Sequence, residues 1–215
     1  MTIDTTLPPR PKIWTLPNQL TVSRLVLSVV LFVCIAYQAY AAAFVLFVVA
    51  ASTDWLDGFL ARRYGLVTQL GRILDPFADK MIICGTFIFL AAVPTVLESR
   101  PGGQFVEVSL SGIRPWMAVL VMGRELLVTA LRSFIEQRGT DFSADMSGKL
   151  KMVVQCVAAG MGLYNLAYQP AWLPVPLTIA VWSAVTLTVY SGGVYIRRAA
   201  ALIDAGPVAD SSDDE

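Results

Sequence analysis

Six apolar segments recur along the chain, at about 22–40, 42–62, 72–97, 114–136, 147–168 and 172–196. A bilayer core is crossed by roughly 20 helical residues, each rising about 1.5 Å. Lipid offers no partner to an open backbone N–H or C=O, so segments of this kind fold as helices whose hydrogen bonds are internal. The series therefore predicts an all-α, polytopic membrane protein with six transmembrane helices. The chain is 56% hydrophobic and 15% charged, against about 45–50% and about 25% in a soluble domain. That excess is more than one soluble core takes in, and it excludes a disordered chain.

Residues 1–21 carry four prolines and two basic residues with no apolar stretch of signal-peptide type, so the first span is expected to be retained. Fourteen of the 16 basic residues fall on or toward one side of a six-span arrangement, with only Arg100 and Arg114 on the other. The positive-inside rule then puts both termini and the basic side in the cytoplasm. The expected organisation is a cytoplasmic tail over 1–15, one six-helix membrane domain over 16–198, and an acidic, disordered tail over 199–215. The connections at 37–41 and 168–172 suit tight hairpins. The longer one at 98–115 holds a Pro101-Gly102-Gly103 turn signal and a short alternation over 106–110, which fits either a loop or a strand pair. No internal repeat supports an inverted-repeat transporter.

Several chemistries drop out. The 16 basic residues are balanced by 16 acidic ones, which gives no electrostatic footprint for nucleic acid. There are no histidines, so no mechanism relies on an imidazole base, ligand or triad member. Cys34, Cys84 and Cys156 stand singly in apolar runs and read as packed thiols.

The informative stretch is Asp54-Trp55-Leu56-Asp57-Gly58-Phe59-Leu60-Ala61-Arg62, followed by Gly71-Arg72-Ile73-Leu74-Asp75-Pro76-Phe77-Ala78-Asp79-Lys80. Asp54 and Asp57 are three apart and Asp75 and Asp79 four apart, so each pair shares a helix face. Gly58 and Ala61 add small residues that permit close approach. The short link between the helices makes them antiparallel neighbours, and four carboxylates converge near the cytoplasmic interface. Like charges in a low dielectric repel, so something positive must compensate. Oxygen-only ligands suit Mg²⁺ or Mn²⁺, and four carboxylates suit two ions about 3.5–4 Å apart. Salt bridges to Arg62, Arg72 and Lys80 are the plainer alternative.

The eight fixed positions Asp54, Asp57, Gly58, Ala61, Arg62, Gly71, Asp75 and Asp79 over 26 residues resemble the signature of the CDP-alcohol phosphatidyltransferase family. The resemblance implies a six-helix, usually dimeric bacterial inner-membrane enzyme that moves a phosphatidyl group from a CDP-linked donor to an alcohol and releases CMP. It implies that Asp54, Asp57 and Asp75 ligate metal, and that Asp79 is both ligand and catalytic base. By the same resemblance, Gly58, Ala61, Arg62, Thr68 and Gly71 hold CDP-diacylglycerol. Asn18 and Thr21, near Arg24 in the first helix, either join that pocket or cap and anchor the helix.

The acceptor alcohol is approached through Leu16-Pro17-Asn18-Gln19-Leu20-Thr21, Gly123-Arg124-Glu125, Ala130-Leu131-Arg132 and Gly148-Lys149-Leu150-Lys151. These resemble the bacterial branch that uses sn-glycerol 3-phosphate. Arg124 and Arg132 are eight apart and lie near one helix face, and Lys149 and Lys151 begin the next span on the same side. Arginine as a fork and lysine as a point charge suit an acceptor phosphate. Positive-inside anchoring is the alternative for the lysines, and a structural charge pair with Glu125 is the alternative for Arg124. Inositol phosphate and phosphatidylglycerol are the rival acceptors. A cation channel or carrier, or a non-catalytic scaffold, are the alternatives from other classes.

Overall fold

The computed structural model describes residues 16–64, 69–100, 104–136 and 146–204. Among them are six helices: α1 (Leu16–Ala36), α2 (Tyr40–Tyr64), α3 (Gln69–Ala91), α4 (Pro115–Glu136), α5 (Met146–Tyr168) and α6 (Pro174–Asp204). Between α3 and α4 lie two strands, β1 (Val96–Arg100) and β2 (Gln104–Val108). The fold is thus mostly helical rather than all-α. The strands pair antiparallel with Val96 opposite Val108 and Ser99 opposite Phe105, so the 98–115 connection is a strand pair and not a plain loop.

Local chemistry sets the ends. Pro115 and Pro174 open α4 and α6, where the missing N–H costs nothing. The α1 end is a Schellman motif: Ala39 N–H donates to Cys34 O at 2.8 Å and Gln38 N–H to Ile35 O at 3.0 Å. Gln38 takes the left-handed conformation at φ 61°, the position usually given to glycine. The third helix stops at Ala91 rather than near 97: Pro94 cannot continue a helix, and Val93, Thr95 and Val96 are β-branched. The sixth runs through Asp204, past the boundary placed at 198, because Ala199, Ala200, Ala201 and Leu202 are strong helix formers.

Around the bundle the helices pack in the order α1, α2, α5, α6, α4, α3, closing back on α1, with α3 also against α5 across the middle. The core includes Leu31, Phe47, Phe87, Leu90, Val121 and Leu163. The outer surface is also apolar: Val26, Val29, Val45, Val119, Ile179 and Val189 are exposed. In water such patches are a liability, and in lipid they are the required exterior. Two helical segments, Leu150–Tyr168 and Pro174–Ala201, are long and apolar enough to cross a membrane.

Short connections make successive helices antiparallel, so the bundle has two chemically different ends. One holds the 37–39 turn, the hairpin and the 109–114 loop, clamped by Asn165 Nδ2 donating to Leu110 O at 2.7 Å and Ser111 Oγ to Leu90 O at 2.8 Å. The opposite end gathers the starts of α1, α3 and α5 and the ends of α2, α4 and α6.

At Gly85 on α3, a Cβ would stand 2.1 Å from Phe32 Cζ of α1, and Phe32 is itself stacked on Phe89 with ring centroids 5.0 Å apart. Gly85→Ala is expected to lower stability by about 1–3 kcal/mol through overpacking. The thermal midpoint in detergent checks this, and Phe32→Ala in the same chain should recover part of the loss.

Candidate functional site

Asp54 and Asp57 lie in the C-terminal half of α2, and Asp75 and Asp79 in the N-terminal half of α3. Residues 65–68 are all that separate the two helices in the chain, and both pack on α1, which lies between them around the bundle. Both pairs therefore sit at the same end of the bundle, each spaced by about one helical turn. Gly58, Ala61 and Arg62 share α2 with the first pair, and Gly71 precedes the second on α3. The side chains of all eight signature positions lie outside the described residues, as does Thr68 entirely. Helix α3 runs unbroken through Pro76, which removes one backbone donor between Asp75 and Asp79.

Asn18 is in the first turn of α1, and its side chain lies outside the described residues. Thr21 and Arg24 lie farther in, past the helix start at Leu16, so neither caps it. Arg24 is only 6% exposed, which is not how a snorkelling anchor sits.

The cations on α4 and α5 are brought together. Arg124 Nε donates to Ser191 Oγ of α6 at 3.1 Å, and that hydroxyl donates on to Thr188 O at 3.2 Å. The Arg124 guanidinium lies 5.3 Å from the centre of the Tyr195 ring, within cation–π range. Two turns further along α4, Arg132 Nη2 donates to the Tyr195 hydroxyl at 3.4 Å. The buried Tyr195 side chain therefore lies between the two arginines. Glu125 Oε1 accepts from Arg124 Nη1 at 3.3 Å and from the Lys151 ammonium of α5. Lys149 lies in the first turn of α5, with its side chain outside the described residues.

Two guanidinium nitrogens, Arg124 Nη2 and Arg132 Nε, are buried and have no hydrogen-bond partner among the described residues. A buried donor left unmet costs about 1–3 kcal/mol, more when charged, and calls for an explanation such as a ligand. An anion is the kind of acceptor that each of these guanidinium donors lacks.

The cation cluster adjoins the aspartate-bearing helix. Lys80, next to Asp79, donates to Thr129 Oγ1 of α4, and that hydroxyl donates to Glu125 O at 2.7 Å. Ser191 and Tyr195 were not singled out from sequence. Their signal is a four-residue spacing, with Thr188 three residues before Ser191, which puts these hydroxyls on one face of α6.

Four aspartates on α2 and α3 lie toward one end of the bundle, and carboxylate oxygen is the donor type that a hard divalent cation takes. Among the described side chains, no group of three or more His, Cys, Asp or Glu residues forms a separate site.

Sequence comparisons bear on the same region. The family model described as CDP-alcohol phosphatidyltransferase matches residues 14–190. The chain is 31% identical over 199 residues to a Bacillus subtilis (strain 168) protein named CDP-diacylglycerol–glycerol-3-phosphate 3-phosphatidyltransferase, covering 85% of this chain and 94% of that one. It is 35% identical over 197 residues to a probable phosphatidylglycerophosphate synthase of Mycobacterium tuberculosis, covering 88% and 84%. A cardiolipin synthase (CMP-forming) of Oryza sativa subsp. japonica is 32% identical over 207 residues, covering 89% of this chain and 59% of the relative.

Proposed function

The chain belongs to the CDP-alcohol phosphatidyltransferase family, a family of membrane proteins, and on that premise we propose that it transfers the phosphatidyl group of CDP-diacylglycerol to sn-glycerol 3-phosphate. The products are phosphatidylglycerophosphate and CMP. The observation that carries the acceptor is the pair of unmet buried donors, Arg124 Nη2 and Arg132 Nε. They ask for an anion, and a phosphate monoester presents enough oxygens to reach both arginines together with Lys149 and Lys151. The name of the Bacillus relative supports the same acceptor, and that of the Mycobacterium relative the same product.

In this proposal Gly58, Ala61, Arg62, Thr68 and Gly71, with Asn18 and Thr21, hold the CDP-diacylglycerol headgroup while its acyl chains stay in lipid. The phosphate clamp brings the acceptor hydroxyl toward Asp79. That carboxylate takes the hydroxyl proton as the oxygen attacks the phosphorus bearing the diacylglycerol. The bond from that phosphorus to the bridging oxygen breaks, and CMP leaves with the electron pair, its charge met by Arg62. Two divalent cations, Mg²⁺ or Mn²⁺, held by Asp54, Asp57, Asp75 and Asp79, would supply charge neutralisation at the diphosphate and acidify the attacking hydroxyl.

We place the charged end on the cytoplasmic side, with six spans, a tail over 1–15 and an acidic tail beyond the last helix. The basic residues at that end support this orientation. A homodimer embedded in membrane lipid is the assembly that the family resemblance implies. The test is CMP release from CDP-diacylglycerol by purified protein with Mg²⁺ and one of three acceptors. Release is expected with glycerol 3-phosphate and not with inositol 1-phosphate or phosphatidylglycerol. Release with phosphatidylglycerol alone would make the chain a cardiolipin synthase.

A further inference from the structure

Among the described residues, Glu125 is the acid that meets the cation cluster. Helices α4 and α5 make no close backbone approach among the described residues; each packs instead on α3 and α6. The ion pair from Glu125 to Lys151 thus joins two helices whose backbones do not meet, beside Arg124 and the Ser191–Tyr195 face of α6. Lys151 has a side chain only 3% exposed, and the positive charges of Arg124 and Lys80 bear on it. A buried ammonium among like charges needs a counter-charge to remain an ammonium in place. Glu125 is that charge, and the same oxygen also takes Arg124 Nη1. With Nε on Ser191 and Nη1 on Glu125, Nη2 of Arg124 is left for a ligand.

We infer that Glu125 is a positioning residue for the acceptor: it holds the Lys151 ammonium of α5 and the Arg124 guanidinium of α4 together, both turned to a single phosphate monoester. This rests on the acceptor assignment proposed above. Glu125 touches no substrate; it acts through the two cations.

The experiment measures KM for glycerol 3-phosphate and for CDP-diacylglycerol in full-length protein, with thermal midpoints as a control for folding. Glu125→Gln is expected to raise the glycerol 3-phosphate KM by about tenfold to a hundredfold, the effect of losing a charged hydrogen bond, and to leave the CDP-diacylglycerol KM unchanged. Glu125→Asp keeps the charge and should fall between wild type and Glu125→Gln; it carries the test alone if the glutamine variant does not fold. In a Lys151→Met chain, Glu125→Gln should add less than about threefold, because the two residues act as a unit. If Lys151→Met raises the glycerol 3-phosphate KM and the Glu125 variants do not, Glu125 has no positioning role and the acceptor assignment stands. Should Arg132→Gln and Lys151→Met both leave that KM unchanged, the acceptor assignment itself fails. An equal rise in both KM values for Glu125→Gln would mark a merely structural residue and overturn the inference.

Discussion

Asp57→Asn is expected to abolish turnover, lowering kcat by about a thousandfold or more, with the protein still folded. Asp57 lies one turn beyond Asp54 on α2, and four residues link that helix to the one that carries Asp75 and Asp79. In the proposed two-metal site, an amide in place of one of four carboxylates would remove a charged ligand, and the lost charge stabilisation is worth several kcal/mol. Asp79→Asn should also be severe, at about 10²–10⁴-fold, the usual range for a lost general base. A Mg²⁺ titration separates the two roles. Excess metal should partly restore Asp57→Asn through mass action on a weakened site, whereas Asp79→Asn stays slow at every metal concentration. Near-normal activity for Asp57→Asn would remove that residue from the site.

The second large effect is expected on the acceptor side. Arg132→Gln should raise the KM for glycerol 3-phosphate by about tenfold to a hundredfold, with a smaller change in kcat and none in the CDP-diacylglycerol KM. Arg132 meets the Tyr195 hydroxyl through Nη2 at 3.4 Å and keeps a buried Nε with no partner among the described residues. Glutamine retains a polar amide but loses the charge and the fork that meet a phosphate. Lys149→Ala should move the same constant in the same direction. Initial rates over both substrate concentrations decide the matter; a rise confined to CDP-diacylglycerol would place these cations on the donor.

Much of this arrangement was legible in the chain because it is local. Each apolar run reports its own helix, and the aspartate pairs are one turn apart on their own segments, so spacing alone orders them. Arg124, Arg132 and Lys151 also declared themselves, as charges on apolar helices, and the structure brings them to one place. What the chain hides is contact across helices. Glu125 adjoins Arg124 in sequence, which suggested a simple charge pair, but its bond to Lys151 depends on how α4 and α5 face each other. Tyr195 reads as one more aromatic residue on a lipid-facing helix until α4 brings two arginines to it.

The boundary differences have a related cause. Hydropathy carried the third span to 97, since Val93, Val96 and Leu97 are as apolar as the helix before them, yet Pro94 and the β-branched residues turn that stretch into a hairpin strand. Leu97 and Phe105 lie on one face of that hairpin and are exposed, a pattern that an apolarity count does not distinguish from a span. Charge had the opposite effect at the C-terminal end. Arg197 and Arg198 suggested the close of the membrane domain, although a helix crosses an interface without ending there.

The measurement that bears most directly on the account is transfer of radiolabelled glycerol 3-phosphate into lipid by the purified protein, followed together with CMP. The account predicts one labelled lipid formed per CMP released, in a reaction that stops when a chelator removes divalent metal and resumes when Mg²⁺ is restored. CMP release with no label entering lipid, or label entering at full rate in the presence of the chelator, would contradict it.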